Sequence, residues 1–214
     1  WHIGINKPTD DSTNTSQEIQ DVLDILQYCF ERWIADCQSM ITDPQYTSIE
    51  KNDSYFINFN YTDTVEWLYK IPDDRVLHIH GRASKHDKLI FGHNKYLHGG
   101  MYDGVDVDQT YLELSKYQKN PYEHIFKHNE LPDILSNVEF VHVYGLSLSP
   151  VDEDYIDWIE RNTPQDCKWE FSWFSEQDKQ RIEEFILNHW RIKDRYQLIQ
   201  LQPINKNEIN KDLQ

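Results

Sequence analysis

Between Tyr55 and Gly81 the chain reads YFINFNYTDTVEWLYKIPDDRVLHIHG, and its polar residues fall where chemistry could use them. Asn58, Asn60, Tyr61 and Thr62 close one apolar run, and His78, His80 and Gly81 close another. An amide such as Asn60 can fix a ligand hydroxyl or an attacking water; equally it can cap a helix or close an Asx turn. Imidazole titrates near neutrality, so His80 at a strand end suits a general base, with Gly81 beside it allowing close backbone approach. His78 lies two residues earlier and would share a strand face with His80. It is read as a structural residue.

A second constellation is GLSLSP, Gly145 to Pro150, with a glycine and two hydroxyls after an apolar run. Gly145 and Ser147 there suit a sugar or phosphate held against backbone amides at a helix N-terminus. The alternative is an ordinary N-cap built on Ser149, with Asp152 adding a favourable charge to the first turn. A third is a histidine-rich segment. Five histidines fall between His78 and His98, His93 among them, and Asp103, Asp106 and Asp108 follow. Imidazole and carboxylate are good ligands, yet none of these spacings is a recognised ligand signature, so no metal ligand is assigned. A metal-dependent hydrolase or nuclease on this segment stands as an alternative. Cys29, Cys37 and Cys167 lack CxxC spacing and read as buried or free thiols, which disfavours both a zinc module and a disulfide framework.

The elements that must position these residues alternate. SQEIQDVLDILQYCFERWIADCQSMI, Ser16 to Ile41, has the spacing of a long amphipathic helix stopped before Pro44. YFINF and RVLHI are strand-like, with TDTVEWLYKI as a short helix between them, which makes a compact βαβ unit. A short strand is expected at KLIFG, Lys88 to Gly92, and an exposed loop over 93–108. YLELSKYQKNPYEHIFKHNELPDILS is helical but broken at Pro121 and Pro132. VEFVHVYG, Val138 to Gly145, gives the strongest buried-strand pattern, followed by a helix over VDEDYIDWIERN, a strand at KWEFSWF, a helix at EQDKQRIEEFILNHW and a last strand at YQLIQL. Alternation of this kind predicts an α/β fold, an open and mostly parallel sheet flanked by helices. Ligands of such sheets sit outside the carboxyl ends of the strands, where Asn60 and His80 emerge. Residues 1–16 read as an irregular segment truncated upstream, 17–203 as a single α/β domain, and 204–214 as a frayed polar tail.

Composition narrows the partners. The 21 Lys and Arg against 37 Asp and Glu give a formal charge of −16, which disfavours direct nucleic-acid binding, since that needs a basic surface to neutralise phosphates. No apolar run approaches the roughly 18 residues of a membrane span. A cytoplasmic protein is expected.

Taken together, FINFNYTDTVE, VLHIHG, LIFGHN and VHVYGLSLSPVDEDYI resemble the AbiH family of phage abortive-infection proteins, over about half of the chain. More remotely they resemble the sirtuin-like NAD-binding superfamily. Asn60 lies where that superfamily has the asparagine of its Thr-x-Asn motif, His80 where it has its catalytic His-Gly histidine, and Gly145 with Ser147 where its Gly-Thr-Ser turn touches the dinucleotide. Both families carry a glycine-rich phosphate loop that does not occur in this sequence, and Thr62 stands where sirtuin-like proteins have an aspartate. The resemblance implies a Rossmann-like domain that binds NAD through Asn58, Tyr61, Thr62, Gly81, Gly145, Ser147 and Asp152. It implies cleavage of NAD to nicotinamide and ADP-ribose with Asn60 and His80 as catalytic residues, with a phage protein as trigger and self-association left open. The alternative from another class is a sensor or scaffold that binds a nucleotide without turnover.

Overall fold

The computed structural model describes residues 12–42, 44, 46–49, 53–91, 128 and 130–204. Helix α1 spans Ser12–Ser39, starting four residues before the expected Ser16 and ending two before Ile41. Its last turn loosens as the Ile41 N–H moves to the carbonyl of Gln38, at 3.4 Å. Gln17 with Asp21, Gln20 with Asp24 and Gln27 with Glu31 form amide–carboxylate bonds four residues apart, each adding about 0.2–0.5 kcal/mol. Ile34 anchors the helix, packed with Ala83 and Leu89 beside Phe30, Tyr61 and Phe91.

The βαβ unit forms as the spacing requires. Strand β2 (Phe56–Asn58; β1 follows below) pairs in parallel with β3 (Val76–His78), Asn58 opposite His78. Helix α2 (Thr64–Tyr69) lies between them in sequence and ends on Lys70 in the left-handed region, φ 58°. Strand β3 stops at His78, and Ile79 and His80 form a turn closed by the Gly81 N–H on the carbonyl of His78, at 3.1 Å. The two histidines therefore do not share a strand face. The expected strand at KLIFG is not one over Lys88 to Phe91 (Gly92 lies outside the described residues): the Ile90 N–H donates to the His80 carbonyl at 2.8 Å, in the turn past β3, and no ladder forms. The 93–108 segment and most of the helical pattern after it lie outside the described residues; the part described is α3 (Leu131–Leu135).

The carboxyl half is a second parallel ladder. Strands β4 (Phe140–Val143), β5 (Lys168–Trp173) and β6 (Tyr196–Gln200) lie in that order, joined by α4 (Glu153–Asn162) and α5 (Glu176–Asn188). Register pairs Val141 with Trp169 and Phe171 with Leu198. Ser175 caps α5 through a capping box with Asp178. VEFVHVYG is not the fully buried strand that its apolar run suggests. Strand β4 lies at the edge of its ladder, and Phe140, 47% exposed, stacks with His142, which stacks with Tyr144. Strand β1 (Tyr46–Thr47) pairs antiparallel with β7 (Pro203–Ile204), a contact no local pattern announces.

Among the described residues no ladder joins β3 to β4, so the two small parallel sheets are separate. They nevertheless share one core, in which Leu77 and Ile79 meet Val143, Leu148, Tyr155, Trp169, Phe171 and Ile186. The fold is a mixed α/β arrangement of open sheets and helices. No helix among the described residues is long and apolar enough to cross a membrane.

Phe171 is fully buried at the centre of that core. Phe171→Ala is expected to cost about 3–5 kcal/mol in chemical denaturation. Phe140→Ala, on the open face of the edge strand, is expected to cost less than about 1 kcal/mol.

Candidate functional site

His80 sits in a box of rings. Its exposure is 1%, and Phe59, Tyr155 and Tyr61 lie 5.5, 5.2 and 6.1 Å from it, the first two edge-on. Its Nδ1 donates to the Phe59 carbonyl at 3.3 Å, which turns Nε2 toward Asp152 Oδ1, 4.0 Å away. Asp152 occupies the N-cap position of α4 yet makes no side-chain cap bond. The Tyr61 hydroxyl donates to the Ile90 carbonyl at 2.7 Å, and burial, with the Asp152 charge adding to it, pushes its pKa up to about 12. Burial above all, then Asp152, Tyr61 and Asp154, raises Tyr155 as well. The Tyr155 hydroxyl is buried with no hydrogen-bond partner among the described residues.

Asn58 and Asn60 divide the roles that the sequence left open. The Asx turn belongs to Asn58, which is buried: its Oδ1 accepts from the Asn60 N–H at 2.9 Å and its Nδ2 donates to the Thr62 carbonyl at 3.4 Å. Asn60 is exposed, and its carbonyl accepts from His78 Nδ1 at 3.2 Å. Thr62 shares a hydroxyl–hydroxyl bond with Thr64 at 2.7 Å. The turn after β4 is held differently. The Gly145 N–H donates to Ser172 Oγ at 3.2 Å, and Ser172 Oγ donates to the Val143 carbonyl at 3.0 Å. Gly145 and Ser147 are exposed, while Leu148 is buried with φ 51°. Ser147 offers its carbonyl to Arg181 at 3.5 Å. The turn after β3 and the start of α4 are thus brought together through His80 and Asp152; Gly145 and Ser147 bond instead to Ser172 of β5 and Arg181 of α5.

Beside this box lies a charged cluster that the sequence reading missed. Arg82, its side chain 13% exposed, meets Asp63 through Nε, Glu66 at 3.5 Å and Asp73 at 3.0 Å. His78 Nε2 lies 2.7 Å from Glu66 Oε1, so both His78 ring nitrogens face acceptors. Burial alone would raise the Asp63 carboxyl, but hydrogen bonds from Arg82, Ser84 and Gln38 and the Arg82 charge hold it below its ordinary value. This is why Asp63, at the N-cap position of α2, makes no cap bond. Arg82 directly follows His-Gly, and that adjacency was the available signal.

The family model for bacteriophage abortive infection AbiH matches residues 6–173, well over half of the 214-residue chain. The chain belongs to the AbiH family. No curated protein and no solved structure matches it, so the likeness to sirtuin-like proteins rests on the quoted residues alone.

Two glycines of this AbiH-family chain make opposite demands. Gly81, φ 86°, would place a Cβ 2.7 Å from the Lys88 carbonyl, whereas a Cβ on Gly145, φ 61°, meets nothing within 4 Å among the described residues. Gly145→Ala is expected to cost about 1–2 kcal/mol for the left-handed backbone alone. Gly81→Ala should cost clearly more and lower the melting temperature further, because the Lys88 backbone must also move. Asp63→Asn tests the charged cluster. At neutral pH it is expected to lose about 1.5–3 kcal/mol, the worth of a hydrogen bond to a charged group. Because the native Asp63 carboxyl is held low, its stabilisation is present above the unfolded value of about 3.9 and fades as pH falls through the native one. The gap between variant and wild type in urea melts should therefore narrow on acidification below about pH 4.

Proposed function

We propose that this abortive-infection protein binds NAD at the carboxyl edge of its parallel strands and hydrolyses it to nicotinamide and ADP-ribose during phage infection. The observation that carries the reading is the approach of His80, in the turn after β3, to Asp152, at the start of the helix that follows β4 in the other ladder, 4.0 Å apart. The carboxyl edge is where α/β sheets take their ligands. The exposed Asn60 side chain would meet a ribose hydroxyl or the attacking water there. Gly145, with nothing among the described residues within 4 Å of a Cβ there, leaves room for the cofactor beside Ser147. Asp152, Glu153 and Asp154 crowd the start of α4 with negative charge, so that end suits ribose hydroxyls better than a pyrophosphate.

Hydrolysis breaks the bond between nicotinamide and ribose, water adds to the ribose carbon, and its proton passes to a base. His80 is the histidine beside this edge, and the Asp152 carboxylate favours the imidazolium that would result. The ring cover of Phe59, Tyr61 and Tyr155 must move before His80 can touch water. That burial favours a second reading, a sensor that binds the nucleotide without turnover and needs no such motion.

Nicotinamide release by the complete protein, with and without phage lysate, separates the two. In the activated protein, Asn60→Ala and Asp152→Asn are expected to lower turnover about 10²–10⁴-fold, the usual contribution of an acid or base pair. These substitutions spare the core better than His80→Ala, which would leave a cavity at a fully buried position. NAD binding by calorimetry without nicotinamide release selects the sensor, and neither binding nor release overturns both readings.

A further inference from the structure

Helix α4 turns Glu153, Asp157 and Glu160 to one side, and the residue after α5, His189, is brought against them. His189 Nδ1 lies 3.1 Å from Asp157 Oδ1 and 3.3 Å from Glu160 Oε2. On the other side of the ring, Nε2 lies 3.7 Å from Glu153 Oε1. We propose that Asp157, Glu160 and His189 form a divalent-cation site, suited to Zn²⁺, with Glu153 orienting the imidazole from behind.

The distances fit the chemistry. Zinc bonds of roughly 2.0–2.1 Å in a tetrahedron put neighbouring ligand atoms about 3.3 Å apart, and the three donor atoms here lie within 4.8 Å of one another. Nδ1 as ligand leaves the ring proton on Nε2, facing a carboxylate, the usual outer support of a metal-bound histidine. Phe185 stacks on the imidazole at 3.9 Å and fixes its plane. One imidazole and two carboxylates are donors that zinc accepts.

Burial and charge point the same way. The Glu160 and His189 side chains are 7% and 3% exposed, and Glu160 Oε1 and His189 Nε2 are buried with no hydrogen-bond partner among the described residues. Three carboxylates face one imidazole, so negative charge remains even on protonating the ring. Arg161 reaches only the second Asp157 oxygen, at 3.9 Å, from a side chain 61% exposed, and so compensates little. A bound cation would offset that charge, and binding through both Glu160 oxygens would satisfy the buried Oε1 as well. Asp157, 36% exposed, leaves an approach from solvent. The group Asp63, Glu66 and His78 is equally close-set, but the Arg82 guanidinium already neutralises it. The α4–α5 site is independent of the NAD reading.

The test is calorimetric titration of Zn²⁺ into the complete protein after removal of metals by a chelator. Asp157→Asn and Glu160→Gln are expected to bind one equivalent fewer than wild type, and Glu153→Gln to bind that equivalent about 10–100-fold more weakly. With Co²⁺ as the probe, wild type should show the visible absorption of a four-coordinate site, and Asp157→Asn should lose it. Asp157 and Glu153 are partly exposed, so both variants are expected to keep the metal-free fold, checked by circular dichroism. No Zn²⁺ uptake by wild type, or equal stoichiometry and affinity in wild type and Asp157→Asn, overturns the proposal.

Discussion

The segment that carries Asn60 and His80 depends on one guanidinium. Arg82 lies among Asp63, Glu66 and Asp73 with its side chain 13% exposed, and each of those acids comes from a different part of the βαβ unit. Asp63 opens α2, Glu66 lies within it, and Asp73 begins the turn that leads into β3. Gln38 of α1 joins through paired bonds with the Asp63 backbone and carboxylate, at 3.1 and 3.4 Å. Removing the positive charge would leave Asp63 and Glu66 repelling each other beside His78. Partly buried charges are held by such pairing or not at all.

Two helix starts forgo a side-chain cap. Asp63 and Asp152 both stand at N-cap positions, and neither caps its helix through its side chain. A cap is worth about 0.5–2 kcal/mol, so each diversion has a cost. Asp63 recovers it in the salt-bridge cluster. Asp152 faces His80 instead, beside the half-buried Tyr61 and the buried Tyr155, whose phenols are raised first by burial and then by the Asp152 charge. A helix start spent on a buried His–Asp–Tyr group is the kind of local exception expected at a working site, where local preference and the global fold disagree.

Much of the scaffold was legible. The βαβ unit, the strands KWEFSW and YQLIQ and the helices that follow GLSLSP and Ser175 all formed near their expected places, because each has a period of 2 or 3.6 and flanking turn residues. The site was legible only in part. FNYTD left Asn60 open between a ligand contact, a helix cap and an Asx turn, and it is Asn58 that makes the Asx turn. The reason is local geometry, since Asn58 is the last paired residue of β2 and its side chain, not that of Asn60, reaches forward to the turn.

Sequence by itself determined most of the element types, the parallel βαβ pairing and membership of the AbiH family, all of which depend on spacings within short windows. Tertiary structure alone decided what meets across those windows. It closed His80 under rings from Phe59 and Tyr155, paired it with Asp152, and brought His189 to Asp157 and Glu160. It also split the expected single sheet into two ladders with a common core. Hydrophobic burial fixes only that these faces must be covered, being non-directional. Which polar side chains are then trapped together follows from the packing of helices against the two ladders, and no period in the chain encodes that.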